Sequence, residues 1–174
     1  MTDVQVVVWI LGHVGHGKRT LASALARRLA ARGAAAPLRF VNVADEPLSP
    51  DCARAAILVV SAAEGPMPQT RDHLQAAKAA GVGRVVVFLS KLDAADRDLA
   101  GLVELEVREL LVLCAYPGDK AVVVQGSATR ALADDGSDLG TPALDRLLSA
   151  LGVGAPDDPN AAGGLGGFIS RLFK

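Results

Sequence analysis

An α/β architecture is predicted: three layers, with about five mainly parallel strands between two layers of helices. Two observations predict it. Apolar runs alternate with segments of helical period, the order expected when each strand returns to the sheet through a covering helix. The runs are also apolar throughout rather than alternating, as in strands buried on both faces. At 174 residues the chain suits one domain; being 51% hydrophobic but only 3% aromatic, it must build its core from Ala, Val and Leu.

The elements follow in order. Val4–Leu11 is too short for a signal peptide or membrane span and has no basic stretch before it. It therefore reads as a buried strand, and no membrane association is expected. A helix is predicted over Lys18–Arg32 and a second strand over Leu38–Val43. About a dozen residues then lead to the third strand, Ala55–Ser61, near the minimum for a parallel crossover. Pro47 and Pro50 leave no room there for a full helix, so a partly bare sheet face is expected. Next come a helix over Gln69–Ala80, a strand over Arg84–Ser90, a helix over Asp96–Ala115, a strand over Ala121–Gln125 and a helix over Pro142–Leu151. Within Asp96–Ala115 the expected inward stripe is Leu99, Leu102, Val103, Leu110 and Leu113, with Glu104, Arg108 and Glu109 facing water. Gly33, Gly81 and Gly118 follow helical segments, where left-handed caps are expected. From about Gly152 the composition turns to Gly, Pro, Asp and Asn. Residues 1–151 are thus read as the domain and 152–174 as a flexible tail ending in the apolar-basic peptide Phe168–Lys174.

A formal net charge of -1 argues against a general nucleic-acid binder, so no direct nucleic-acid partner is expected. Cys52 and Cys114 have no CxxC spacing, so neither a zinc site nor a disulfide framework is suggested, and a reducing, cytoplasmic setting is expected.

The chemistry concentrates in Gly12-His13-Val14-Gly15-His16-Gly17-Lys18-Arg19-Thr20. Gly12, Gly17 and Lys18 fit the phosphate-binding pattern G-x-x-x-x-G-K-[ST], in which backbone N–H groups close around phosphate oxygens at a helix N-terminus. The [ST] position, whose hydroxyl meets Mg²⁺, holds Arg19. Two adjacent cations there are unfavourable by roughly 0.3–1 kcal/mol each without an anion. Arg19 therefore either contacts phosphate, partly replacing the metal as counter-charge, or swings into solvent. Thr20 does not replace the lost hydroxyl, because the next helical position points about 100° away. His13 and His16 read as loop residues rather than a metal pair.

Further segments carry a resemblance. Ala56-Ile57-Leu58-Val59-Val60 is followed by Glu64-Gly65-Pro66-Met67-Pro68-Gln69-Thr70-Arg71-Asp72-His73, then Val87-Phe88-Leu89-Ser90-Lys91-Leu92-Asp93. Val103–Leu111, Pro117-Gly118-Asp119 and Gly126-Ser127-Ala128 complete the order. With Gly12–Leu21, these resemble the GTP-binding domain of bacterial elongation factor Tu, whose loop reads G-H-V-D-H-G-K-T-T-L and departs from this chain at Gly15 and Arg19. The resemblance implies a P-loop, GTPase-like domain covering roughly residues 4–150, truncated and degenerate, with no counterpart of the family's two β-barrel domains.

By that resemblance the nucleotide-binding residues are His13, Val14, Gly15, His16, Gly17, Lys18, Arg19 and Thr20 at the phosphates, with Ser90, Lys91, Asp93, Ser127 and Ala128 at the base. Lys18 reaches the β- and γ-phosphates, Asp93 accepts from the guanine edge, Lys91 covers the base plane and Ala128 N–H meets it from the other side. Ser90 replaces a longer Asn. Two registers of the family's D-x-x-G fail here: Asp45 pairs with Leu48, and Ala44 with Pro47, which has no N–H. The switch segment and catalytic His have no counterpart, so no catalytic residue is assigned and efficient hydrolysis is not expected. GTP or GDP is the expected ligand, bound weakly or in altered fashion, with Mg²⁺ left open. The alternative is a nucleotide-free pseudo-GTPase acting as an interaction module. A protein partner could meet the helix at 99–113, with its Glu104, Glu106 and Glu109, or the tail at 168–174.

Overall fold

The computed structural model describes residues 6–32, 38–46, 48 and 53–152. The expected Gly33 cap, Cys52 and the tail peptide Phe168–Lys174 lie outside them.

Five strands form one sheet: β1 (Val6–Leu11), β2 (Leu38–Asn42), β3 (Ala53–Ser61), β4 (Arg84–Ser90) and β5 (Val123–Gln125). Their order is β2-β1-β3-β4-β5, and every pairing is parallel. The chain moves outward from β1 to β2, then crosses back to β3 on the other side. That reversal leaves a crevice at the carboxyl ends of β1 and β3, where open α/β sheets place their ligands. The register aligns Ser61 with Ser90, bringing two hydroxyl side chains to that same end of the sheet.

Both faces are covered, which explains the uninterrupted apolar runs. On one face Val8, Ile10, Ile57, Val59 and Phe88 pack against α1 (Lys18–Ala31), the short α4 (Ala128–Leu132) and α5 (Thr141–Ala150). On the other, Trp9, Leu58, Val60, Val87 and Leu89 meet α2 (Pro68–Ala79) and α3 (Arg97–Leu113). The bare face expected beside the short crossover is not observed among the described residues. Trp9 and Val41 are 2% and 4% exposed, and Leu48 packs against their cluster.

Three local expectations change. The helix α4 was not predicted, because five residues give no readable period. Gly81 does take the left-handed form (φ 84), but after α3 that conformation falls to Ala115 (φ 62). Gly118 serves a close approach instead, since a Cβ there would lie 2.1 Å from Arg108 O. On α3 the inward residues are Ala100, Val103, Val107 and Leu111, with Leu110 partly buried against the core. Leu99, Leu102 and Leu113, expected inside, are exposed. The inward line runs through small Ala100 and β-branched valines, and choosing the largest side chains misplaced it by roughly a quarter turn.

Candidate phosphate and base site

The loop between β1 and α1 is shaped by glycine. Gly12 has φ 133, and a Cβ there would lie 2.2 Å from Val59 O, so no other residue fits beside β3. Gly15 and Gly17 are also left-handed (φ 83 and 93), and nothing lies within 4 Å of a Cβ placed on either. This side of the loop therefore opens onto free space at the N-terminus of α1, as an anion cradle requires. A cleft of about 410 Å³ lies over it, lined by Val14, Gly15, Gly17, Lys18, Arg19, Thr20, Asn42 and Ala44.

Lys18 is 6% exposed, and its Nζ donates to Gly12 O at 2.7 Å and His13 O at 2.8 Å. Burial lowers its pKa; Asp45 offsets this in part and the Arg19 charge adds to it. An anion in the cleft would stabilise the buried charge. Arg19 swings out into solvent, the second of the two courses read from the sequence, and meets an acid there. Its Nη2 lies 2.9 Å from Asp45 Oδ1 in the turn after β2, and both side chains are exposed (81% and 51%). A guanidinium has no lone pair for a cation, so the residue in the hydroxyl position does not fit a magnesium ligand, whereas the glycine cradle fits phosphate.

Two histidines brace the loop. His16 is fully buried; its Nδ1 accepts from Ser61 N–H at 3.3 Å, and its Nε2 lies 3.1 Å from Glu64 Oε2, out of line for a hydrogen bond. His73, from α2, accepts the Gly12 N–H at Nδ1, also at 3.3 Å. Burial lowers both imidazole pKa values from 6.5, opposed by Glu64 at His16 and reinforced by the Lys18 charge at His73. Each Nδ1 can accept only while unprotonated, so the braced loop requires neutral rings. Sequence reasoning gave His73 no place at the loop and did not single out Ser61. A separation of 61 positions from Gly12 to His73 carries no spacing signal.

The base-side residues gather at the carboxyl ends of β4 and β5. Ser90 Oγ donates to His16 O at 2.7 Å and lies 3.2 Å from Val60 O, tying the end of β4 to the phosphate loop. The shorter Ser in place of Asn thus still anchors the loop. Lys91 holds a left-handed backbone (φ 59), and Asp93 follows on an exposed turn. Gly126 N–H donates to Leu89 O and Leu92 N–H to Gly126 O, at 3.0 and 3.4 Å, so the two loops are laced together. Ser127 is 1% exposed and caps α4, its Oγ accepting from Arg130 N–H at 3.4 Å; Ala128 opens that helix.

A parallel sheet reversing beside a glycine loop that caps a helix defines a phosphate-loop nucleotide-binding domain. The family described as "Elongation factor Tu GTP binding domain" matches residues 49–155, more than half of the chain. The chain belongs to that family and is a GTP-binding, elongation-factor-Tu-like domain. The match holds the base-side segments and begins beyond residues 12–20 and Asp45. No described helix is long and apolar enough to cross a membrane.

Proposed function

We propose that the protein binds a guanine nucleotide in the crevice at the ends of β1, β3 and β4, and hydrolyses it slowly or not at all. The observation carrying this reading is the Ser90–His16 hydrogen bond, which fixes the base-side loop to the phosphate loop. In this reading the Gly15–Lys18 backbone holds phosphate. Asp93 accepts from the guanine edge, Lys91 covers the base and Ala128 N–H approaches from the β5 side. An adenine cannot satisfy Asp93, and the unpaired carboxylate penalises it. Arg19, exposed at the mouth of the cleft and only weakly paired with Asp45, turns to the bound phosphate as counter-charge in place of the metal. Binding is accordingly weakly dependent on magnesium. With no group to position metal and attacking water, hydrolysis lacks its main contribution.

The test is competition between GDP and ADP for a fluorescent guanine nucleotide. Preference for GDP that is lost in Asp93→Ala, with the fold intact, supports the reading. Equal affinity for the two, or selectivity untouched by Asp93→Ala, contradicts it. One observation favours a second reading, a nucleotide-free pseudo-GTPase working as an interaction module: Lys18 already spends two N–H donors on its own loop.

A further inference from the structure

The alternation of β2 delivers one polar side chain to the phosphate cleft. Leu38 and Phe40 pack on the cluster that includes α1, whereas Val41 packs on the opposite face of the sheet. Asn42, two residues after Phe40, is the last side chain on the α1 face and pairs with Ile10 just ahead of the phosphate loop. It is 9% exposed and lines the same cleft as Lys18, Arg19 and Thr20.

The Asn42 amide has one end committed and one end open. Its Oδ1 accepts from Ala44 N–H at 3.1 Å, closing a turn over the end of the strand. The Asn42 backbone carbonyl accepts from Asp45 N–H at 2.9 Å and Glu46 N–H at 3.2 Å, so the turn is held twice. Because an oxygen must face the Ala44 N–H, the nitrogen faces the other way. Nδ2 carries two N–H donors and meets no acceptor among the described residues. A buried amide with unspent donors is costly until something accepts from it. The cleft lining supplies an ammonium, a guanidinium and a hydroxyl but no carboxylate. A divalent cation finds no anionic ligand there, and an oxyanion finds donors.

We propose that Asn42 is a phosphate-binding residue, its Nδ2 donating to an oxygen of the phosphate chain held by the glycine loop. The ligand class is a diphosphate or triphosphate taken as the free oxyanion. The inference rests on the nucleotide-binding reading for the rest of the ligand, and on the cleft alone for its phosphates. Asn42 completes from β2 the donor set that Lys18 and the loop backbone begin. An aspartate in its place would keep the oxygen that Ala44 N–H needs, remove both donors, repel phosphate and attract a cation.

The test is calorimetric titration of inorganic pyrophosphate, GDP and ADP, in chelator and in magnesium, into the full chain and its Asn42→Ala and Asn42→Asp variants, with urea unfolding to check each fold. Asn42→Ala is expected to weaken pyrophosphate and GDP about tenfold in chelator, the loss of a hydrogen bond to a charged acceptor. Asn42→Asp should weaken both further, and magnesium should recover part of the loss in Asn42→Asp but not in Asn42→Ala. A role confined to the turn gives the opposite order, since Asp retains the bond to Ala44 N–H and Ala does not. Unchanged affinity in Asn42→Asp, or Asn42→Ala the weaker of the two in chelator, overturns the proposal. Asn42-dependent pyrophosphate binding with GDP no better than ADP upholds it while sinking the guanine reading. Guanine-selective binding untouched by Asn42→Asp does the converse, and no binding of any ligand at millimolar concentration overturns both.

Discussion

Arg19 stands where the phosphate-loop pattern has a hydroxyl residue, and its side chain meets Asp45. Its pairing with Asp45 is exposed on both sides, so the pair contributes about 0–1 kcal/mol to stability. Arg19→Thr is therefore expected to leave the urea midpoint nearly unchanged. The same change removes the guanidinium and supplies a hydroxyl, so dependence of GDP affinity on magnesium should rise, measured by titration with and without chelator. Gly12 behaves in the opposite way. Gly12→Ala places a methyl group 2.2 Å from Val59 O at a φ of 133, combining backbone strain with overpacking. Its expected cost is several kcal/mol, read from urea unfolding. The glycines were legible in the sequence because the motif names them. The Asp45 partner was not, since an ion pair between loops leaves no periodic trace.

At the level of elements, the phosphate loop depends on helices and strands that never touch its opening. His16 and His73 have folded pKa values below the unfolded value of 6.5. The unfolded chain therefore binds protons first as pH falls. Their contribution is fully present above pH 6.5 and is lost as pH falls through the folded values. The melting temperature should drop across that window, and His73→Gln should shallow the drop; a flat profile in the parent protein contradicts the brace. The junction behind α3 gives a second element-scale prediction. Tyr116 is buried, its hydroxyl donates to Val82 O at 3.0 Å and burial pushes its pKa up to about 12. Tyr116→Phe leaves that carbonyl without its donor, a loss of about 1 kcal/mol measured by chemical denaturation. Strand positions were readable because buried parallel strands are apolar throughout. The facing of α3 was not, because a helix with leucines on both sides offers two stripes and only packing chooses between them.

For the whole molecule, the parallel sheet and its flanking helices followed from alternation of run types, and the structure places five strands where five apolar runs stand. The order β2-β1-β3-β4-β5 creates the crevice at which loops distant in sequence converge. Convergence was accessible only through resemblance, since no single segment encodes that Ser90 meets His16 across 74 residues. We propose that this crevice holds a guanine nucleotide with Arg19 on the metal side. Titration of the full chain with fluorescent GDP, competed by GDP or ADP in magnesium and again in chelator, distinguishes this from an empty or metal-dependent site. Guanine-selective binding that survives chelation with little loss is expected. Absence of binding at millimolar nucleotide, or binding abolished by chelation, contradicts it.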